Sequence, residues 1–226
     1  MLNLFVAALF LIGTHLGIAS TSLRAQLIAR VGESAYRALY SLLAMVAIAW
    51  LILAWRQAPL LPLWSAGIGL RHLALALMPI AFLLLVCAIT ASNPTVVGQR
   101  PDPDAGSPAT GIIRVTRHPF MWGVALWATL HLLVNGDEAS LIFFGTFVVL
   151  AVGGTFLIDA RRTRENAPGW GVFLQATSNL PLAAIVDRRQ RFAIGEIGLW
   201  RVALALALYV SILWLHPWLF GVSPLG

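Results

Sequence analysis

The sequence has no lysine and a single cysteine, and charged residues make up only 11% of its 226 positions. Each scarcity excludes a class of protein. So few charges do not cover the water-facing exterior of a soluble domain of this length, which removes a soluble nucleotide-binding enzyme. The lone thiol, Cys87, rules out an intrachain disulfide and a secreted disulfide scaffold, and its place inside an apolar run reads as a small core residue. What is plentiful is hydrocarbon: 59% of the residues are hydrophobic and the mean hydropathy is +0.84, far from the composition of a disordered chain. Apolar runs longer than about 17 residues recur, each long enough to cross roughly 30 Å of hydrocarbon as a helix. The expected fold is all-α: a polytopic membrane helical bundle of about six transmembrane helices, one domain over residues 1–226, with the lipid bilayer as its first partner.

The runs cover residues 2–19, 38–55, 72–91, 119–134, 140–158 and 200–215, the fourth being the shortest. No basic residue precedes the first, so it reads as an uncleaved helix and not as a signal peptide. Residues 92–117 are rich in proline and glycine around Pro101-Asp102-Pro103-Asp104-Ala105-Gly106 and read as a cytoplasmic loop. Residues 159–198 mix arginines with Trp170, Phe173, Leu174, Leu180, Leu182 and Ile185. That mixture suits a segment between helices five and six lying at the membrane surface, arginines among the head groups and aromatics dipped inward.

All 15 basic residues are arginines, and against nine acids they leave a net charge of +6. Counted by alternate sides, Arg24, Arg30, Arg37, Arg100, Arg114, Arg117, Arg161, Arg162, Arg164, Arg188, Arg189, Arg191 and Arg201 fall on one side, and only Arg56 and Arg71 on the other. This asymmetry points the first set into the cytoplasm; six crossings then leave both termini on the periplasmic side of a bacterial inner membrane. Head-group contact accounts for the positive charge, so no nucleic-acid partner is expected.

An ionisable residue deep in a span is costly, and function is sought there first. His72 and His216, at the outer ends of the third and sixth runs, read as interfacial. His15 lies well inside the first run, roughly 20 Å from its outer end at 1.5 Å per residue. Gly13 and Gly17 are spaced for close helix packing on the face turned away from it. His131 shares a stripe at four-residue steps with Gly123, Trp127 and Asn135, which offers a gap, an aromatic wall, a metal ligand and an amide. The two histidines differ in depth by about 7–10 Å, an offset that imidazoles on opposite faces of one macrocycle bridge, so a haem is feasible. Histidines hydrogen-bonded to neighbouring helices are the alternative. A zinc site has less support, because paired cysteines, His-x-x-x-His and a nearby carboxylate are all missing.

Arg117-His118-Pro119 opens the fourth run, with proline suited to the first helical turn. His118 is about 20 Å from His131 along the helix and cannot share a small ligand with it. Arg117 and His118 are instead candidates to meet an anionic group at the cytoplasmic mouth. Arg24, Glu33, Arg37, Asp159, Arg161 and Arg162 read as arginine–carboxylate clamps near the head groups. The sequence offers no context for Ser-His-Asp catalysis and no phosphate loop.

His15-Leu16-Gly17, Leu23-Arg24, Gly32-Glu33, Tyr36-Arg37, Arg117-His118-Pro119, Gly123, Leu126-Trp127, His131-Leu132, Asn135-Gly136-Asp137 and the ending His216-Pro217-Trp218-Leu219-Phe220-Gly221-Val222 together resemble the NnrU family of membrane proteins. That family takes its name from association with nitrite and nitric oxide reduction. It is similar in turn to the 15-cis-zeta-carotene isomerase, a membrane protein whose haem b becomes active on reduction. The resemblance implies His15 and His131 as catalytic iron ligands and a redox-dependent isomerase of an apolar molecule or a handler of a diatomic gas in nitrogen-oxide metabolism; Trp127 of the stripe and Arg117 and His118 at the cytoplasmic mouth are the further candidate cofactor-binding residues. Ala128 stands where the isomerase has a cysteine proposed to exchange with a histidine, so such exchange is not implied here. A partial likeness of Arg117-His118-Pro119, Gly123, Gly169-Trp170 and Phe173 to isoprenylcysteine methyltransferases points instead to S-adenosylmethionine held by Arg117 and His118, with Arg162 and Glu165 near the acceptor. A non-catalytic helical scaffold is the third reading.

Overall fold

A computed structural model describes residues 1–18, 21–96, 99, 109–166 and 168–225. Arg100, the Pro101–Gly106 stretch of the expected loop and the end of the first run at residue 19 lie outside the described residues. Among those described the chain is helical, with one isolated bridge, Pro62 to Asp137, in place of any strand.

Helix α1, Leu2–Ile12, passes into a π-helical stretch, Gly13–Ile18. Helix α2, Ser22–Val31, is capped by the Thr21 side chain, which accepts from the Leu23 N–H. Gly32, at φ 83°, breaks the chain into α3, Glu33–Gln57. Helix α4 is Ile68–Thr90, and α5, Pro119–Asn135, starts on its proline as the sequence implies. Gly136, left-handed at φ 63°, ends α5, and the Asp137 side chain accepts from the Ser140 N–H to start α6, Glu138–Glu165. Short helices α7, Trp170–Ala176, and α8, Ala183–Val186, precede α9, Leu199–Phe220.

Helices α3, α4, α6 and α9 are each long and apolar enough to cross a membrane; the first run, joined to α2 as a bent pair, makes a fifth, and α5 is a shorter apolar helix of 17 residues. The six apolar runs of the sequence therefore all appear as helices. Their outer surfaces are bare hydrocarbon, as on α9, where Leu199, Trp214 and Trp218 are 88%, 73% and 85% exposed. Such a surface belongs in a bilayer.

In lipid, helices associate through close packing, which small residues permit. The main core is built this way. Leu4, Ala7, Ala8 and Leu11 of α1 meet Ala47, Leu51 and Ala54 of α3, Ala128 of α5, and Ala139, Phe143 and Phe144 of α6. The i, i+3, i+4, i+7 spacing on α1 gives one continuous stripe. Helix α4 packs against both α5 and α9. At Gly123 a Cβ would come 2.9 Å from Leu85 Cγ and 3.2 Å from the Ala81 carbonyl oxygen, so the expected gap in the α5 stripe is a close helix approach already filled by α4. Gly13 and Gly17 correct the sequence reading: a Cβ at either meets nothing within 4 Å, because the first span buries its Leu4–Leu11 stripe while the π-helical stretch turns these glycines outward.

Within the 159–198 segment the apolar residues divide between buried and exposed. Trp170 and Phe173 are 3% and 0% exposed, packed with Leu84, Cys87, Ala109, Ile112, Ile113 and Ile197 in a second core, whereas Leu180, Leu182, Val186 and Phe192 are exposed. Cys87 is a buried core residue here, as its sequence context suggests.

Candidate functional site

The arginine-rich end of the bundle is organised by Arg117-His118-Pro119. The segment after α7 is laced onto this triplet: Arg117 N–H donates to the Ser178 carbonyl at 3.0 Å, Leu182 N–H to the Val115 carbonyl at 2.8 Å, and the Trp122 indole to the Asn179 carbonyl at 2.8 Å. Asp159 of α6 then takes both side chains. Arg117 donates Nε to Asp159 Oδ1 and Oδ2 at 3.0 and 2.9 Å and Nη2 to Oδ2 at 2.6 Å, while His118 Nε2–H donates to Oδ1 at 2.8 Å. The anionic group that Arg117 and His118 meet is therefore the chain's own carboxylate, held by the planar fork that arginine offers. His118 is 2% exposed, and its Nδ1 has no hydrogen-bond partner among the described residues. Arg162 is committed as well, donating Nη2 to the Val96 and Gln99 carbonyls at 2.6 and 3.2 Å. Trp170 donates to the Thr163 hydroxyl at 3.1 Å. The residues of the methyl-transfer reading are thus drawn into protein–protein bonds.

A second clamp joins the two 3-10 turns, Gly111–Arg114 and Ile194–Glu196. Arg114 Nε and the Gly111 N–H donate to Glu196 Oε2 at 2.7 and 2.9 Å. These donors hold the Glu196 carboxyl down to about 2.

The two histidines expected to act together sit in different surroundings. His15, in the π-helical stretch, donates Nδ1–H to the Leu11 carbonyl at 3.0 Å and lies beside Tyr40, ring centroids 5.7 Å apart. Tyr40 stacks in turn on Tyr36, over which Arg24 lies, so His15 heads a row of aromatic and cationic groups running to the arginine-rich end. His131 donates Nδ1–H to the Trp127 carbonyl at 2.9 Å. Its ring lies 4.9 Å from Phe144, 5.1 Å from Trp127 and 6.5 Å from His216. Helix α6 serves as a ruler between the two sites. Leu16 lies against Gly153, 3.7 Å from where a Cβ would stand, and His131 lies against Phe144. Nine residues of α6 separate the levels at which Leu16 and His131 meet it, roughly 14 Å at 1.5 Å per residue. The structure brings Trp127 to His131 as the four-residue stripe implies; it does not bring His15, Arg117 or His118 there.

Sequence reasoning left two partners out of the site. Asp159 was legible only as one clamp residue among several, since its α6 position gives no hint of Arg117, 42 residues earlier. His216 read as an interfacial side chain. The available signal was register: His131 and His216 each stand four residues before the last residue of their helices, Asn135 and Phe220.

A curated relative, the chloroplastic 15-cis-zeta-carotene isomerase of Zea mays, is 33% identical over 82 residues, which are 36% of this chain and 22% of that protein. The likeness thus covers less than a quarter of the isomerase. No solved structure matches the chain. The family described as NnrU protein matches residues 3–224, the whole bundle from α1 to the turn after α9, and the chain belongs to that family.

Proposed function

We propose that this chain is an integral membrane haem protein that isomerises an apolar, bilayer-dissolved polyene when its iron is reduced. One observation carries the reading. His131 spends its Nδ1–H on the Trp127 carbonyl, which leaves Nε2 as a lone-pair ligand, on a half-buried ring walled by Trp127 and Phe144. Fixing one imidazole nitrogen by a backbone carbonyl is how proteins orient the other toward a metal. The partial likeness to a cis-trans isomerase adds support. A haem would supply a redox-active iron whose reduced form is a Lewis acid toward a double bond. The chain's part is to hold that iron through His131, to exclude water with Trp127, Phe144 and Phe147, and to offer aromatic faces to a flat conjugated substrate. His15 and His216 are the two imidazoles available as a second ligand. The proposed setting is a bacterial inner membrane with both termini periplasmic, supported by the arginine asymmetry.

The test is an oxidised-minus-reduced spectrum of detergent-purified protein supplied with haem, followed by addition of a cis-polyene in micelles to each redox form. The expected result is a Soret band that moves on reduction and isomer conversion in the reduced form alone, both falling at least about tenfold in His131→Ala. A folded but colourless wild type would sink the reading. A coloured protein that binds nitric oxide and converts no polyene would move the function to nitrogen-oxide handling.

A further inference from the structure

Arg24 of α2, Tyr36 and Tyr40 of α3 and Arg161 of α6 converge at the arginine-rich end of the bundle. The Arg24 guanidinium lies over the Tyr36 ring, 5.6 Å from its centroid, and Tyr36 stacks on Tyr40 with centroids 5.8 Å apart. Arg161 comes to the same place from α6: its charge and that of Arg24 act on each other and on the Tyr36 hydroxyl. The ion pairs these two arginines make, Arg24 with Glu33 at 3.9 Å and Arg161 with Glu165 at 3.8 Å, are too long for hydrogen bonds. The clamps expected from the sequence at these two positions are therefore loose. Arg114, Arg117, Arg162, Arg189 and Arg201 of the same end all donate hydrogen bonds to protein.

The hydroxyls beside them are unmatched too. Tyr36 is 7% exposed, and Tyr36 Oη, Tyr40 Oη and Arg161 Nε are buried with no hydrogen-bond partner among the described residues. Two like charges drawn together, next to buried donors that donate to nothing, cost stability through repulsion and through unmade hydrogen bonds. One oxyanion removes both costs, because guanidinium and phenol groups are all donors to it and the guanidinium fork matches phosphate and carboxylate. Arg24 and Arg161 keep 22% and 18% of their side chains exposed, which leaves the group open to entry. The wall that yields is α2, which buries none of its residues.

The surroundings say what carries the oxyanion. From Tyr36, α3 continues at three-residue steps through Leu39, Leu42 and Met45, which are 61%, 56% and 62% exposed. A charged head held at the arginine-rich end thus has bare hydrocarbon beside it for an acyl or other apolar chain. Basic pockets between membrane helices bind lipid head groups in this way. We propose that Arg24, Tyr36, Tyr40 and Arg161 bind the oxyanion head, phosphate or carboxylate, of an apolar molecule whose hydrocarbon lies along α3 in the adjoining leaflet. The two guanidinium groups neutralise the head, and the two phenols fix its orientation. This site stands apart from His131 and does not depend on the haem reading.

The test uses the full chain in a neutral detergent, as the wild type and as Arg24→Gln, Arg161→Gln and Tyr36→Phe, with Arg30→Gln of α2, an exposed arginine, as the control. Each is titrated with dioleoyl phosphatidate, with oleate and with inorganic phosphate while melting temperature and helicity are read, and bound lipid is counted by native mass spectrometry. The wild type should hold one phosphatidate or one oleate per chain and melt higher with it, the tighter of the two identifying the head group. Arg24→Gln and Arg161→Gln should weaken that binding by at least about tenfold and Tyr36→Phe severalfold, with Arg30→Gln unchanged. Without ligand, Arg161→Gln should melt no lower than the wild type, because it removes a repelled charge; a purely structural arginine would lower it. Equal weakening in Arg30→Gln and Arg161→Gln would reduce the site to general head-group attraction and overturn the proposal. Stabilisation by inorganic phosphate as strong as by phosphatidate, or a folded wild type that retains neither amphiphile, would overturn it as well.

Discussion

Asp159 shows how much one side chain can organise. Its carboxylate is 16% exposed and takes four hydrogen bonds from two residues, Arg117 at 12% and His118 at 1% side-chain exposure. Removing one partner of a buried charge pair leaves the other uncompensated, which costs far more than the pair contributes as a whole. Asp159→Asn should therefore lower stability by about 3 kcal/mol, read as a fall in melting temperature in detergent. Asp187, 54% exposed and paired with Arg189 at 3.0 Å, provides the contrast: Asp187→Asn should change stability by less than about 0.5 kcal/mol. Equal effects at the two positions would show that Asp159 is not the organising charge. The triplet Arg117-His118-Pro119 was visible in the sequence because its three residues are adjacent. Its carboxylate was not, because the pairing depends on how α5 and α6 stand beside one another.

Among the elements, the contact of α4 with α5 is the most exacting. Gly123 lets the two backbones approach until a Cβ would press on both the Leu85 side chain and the Ala81 carbonyl. The leucine can turn away; the carbonyl belongs to a helix and cannot. Gly123→Ala is expected to destabilise the bundle by about 1–3 kcal/mol through overpacking. At Gly145 of α6 nothing lies within 4 Å, and Gly145→Ala should be neutral or stabilise by up to about 1 kcal/mol, since alanine is the better helix residue. Thermal unfolding of both variants measures the difference, and a Gly123→Ala protein as stable as the wild type would show that the helices are not in such close contact. The turn between α5 and α6 is similarly exacting: Gly136 is left-handed, and its carbonyl accepts from the Leu63 and Trp64 N–H groups at 2.8 and 3.0 Å. That bond pair ties the α3–α4 connection onto the α5–α6 turn at the arginine-poor end.

At the scale of the molecule, the arrangement separates two ends. The arginine-rich end carries Arg117, His118 and Asp159, the Arg114–Glu196 clamp and the second core; the other end carries His131, His216 and the docked α3–α4 connection. With native Cys87 replaced by alanine, single cysteines introduced at Ser223 and Gln57 should react together with an impermeant thiol reagent from one face of intact cells, and one at Arg164 should react only after the membrane is opened. Labelling of Arg164→Cys alongside Ser223→Cys would contradict six crossings in the proposed orientation.

The amino-acid sequence alone determined that this is a helical membrane protein, where its six apolar runs lie and that Pro119 begins one of them. These features depend on hydrophobic run length and local backbone chemistry, which are written residue by residue. Family likeness was also carried by local blocks. The tertiary structure decided the rest. It set the 25-residue length of α3 and the 28 residues of α6, turned Gly13 and Gly17 away from any neighbour, and buried Trp170 and Phe173 in protein. It also set His15 beside Tyr40 and His131 beside His216. Such choices depend on helix register and rotation, and a uniformly apolar helix carries little periodic signal for either, because lipid and protein interior are nearly the same solvent to its side chains.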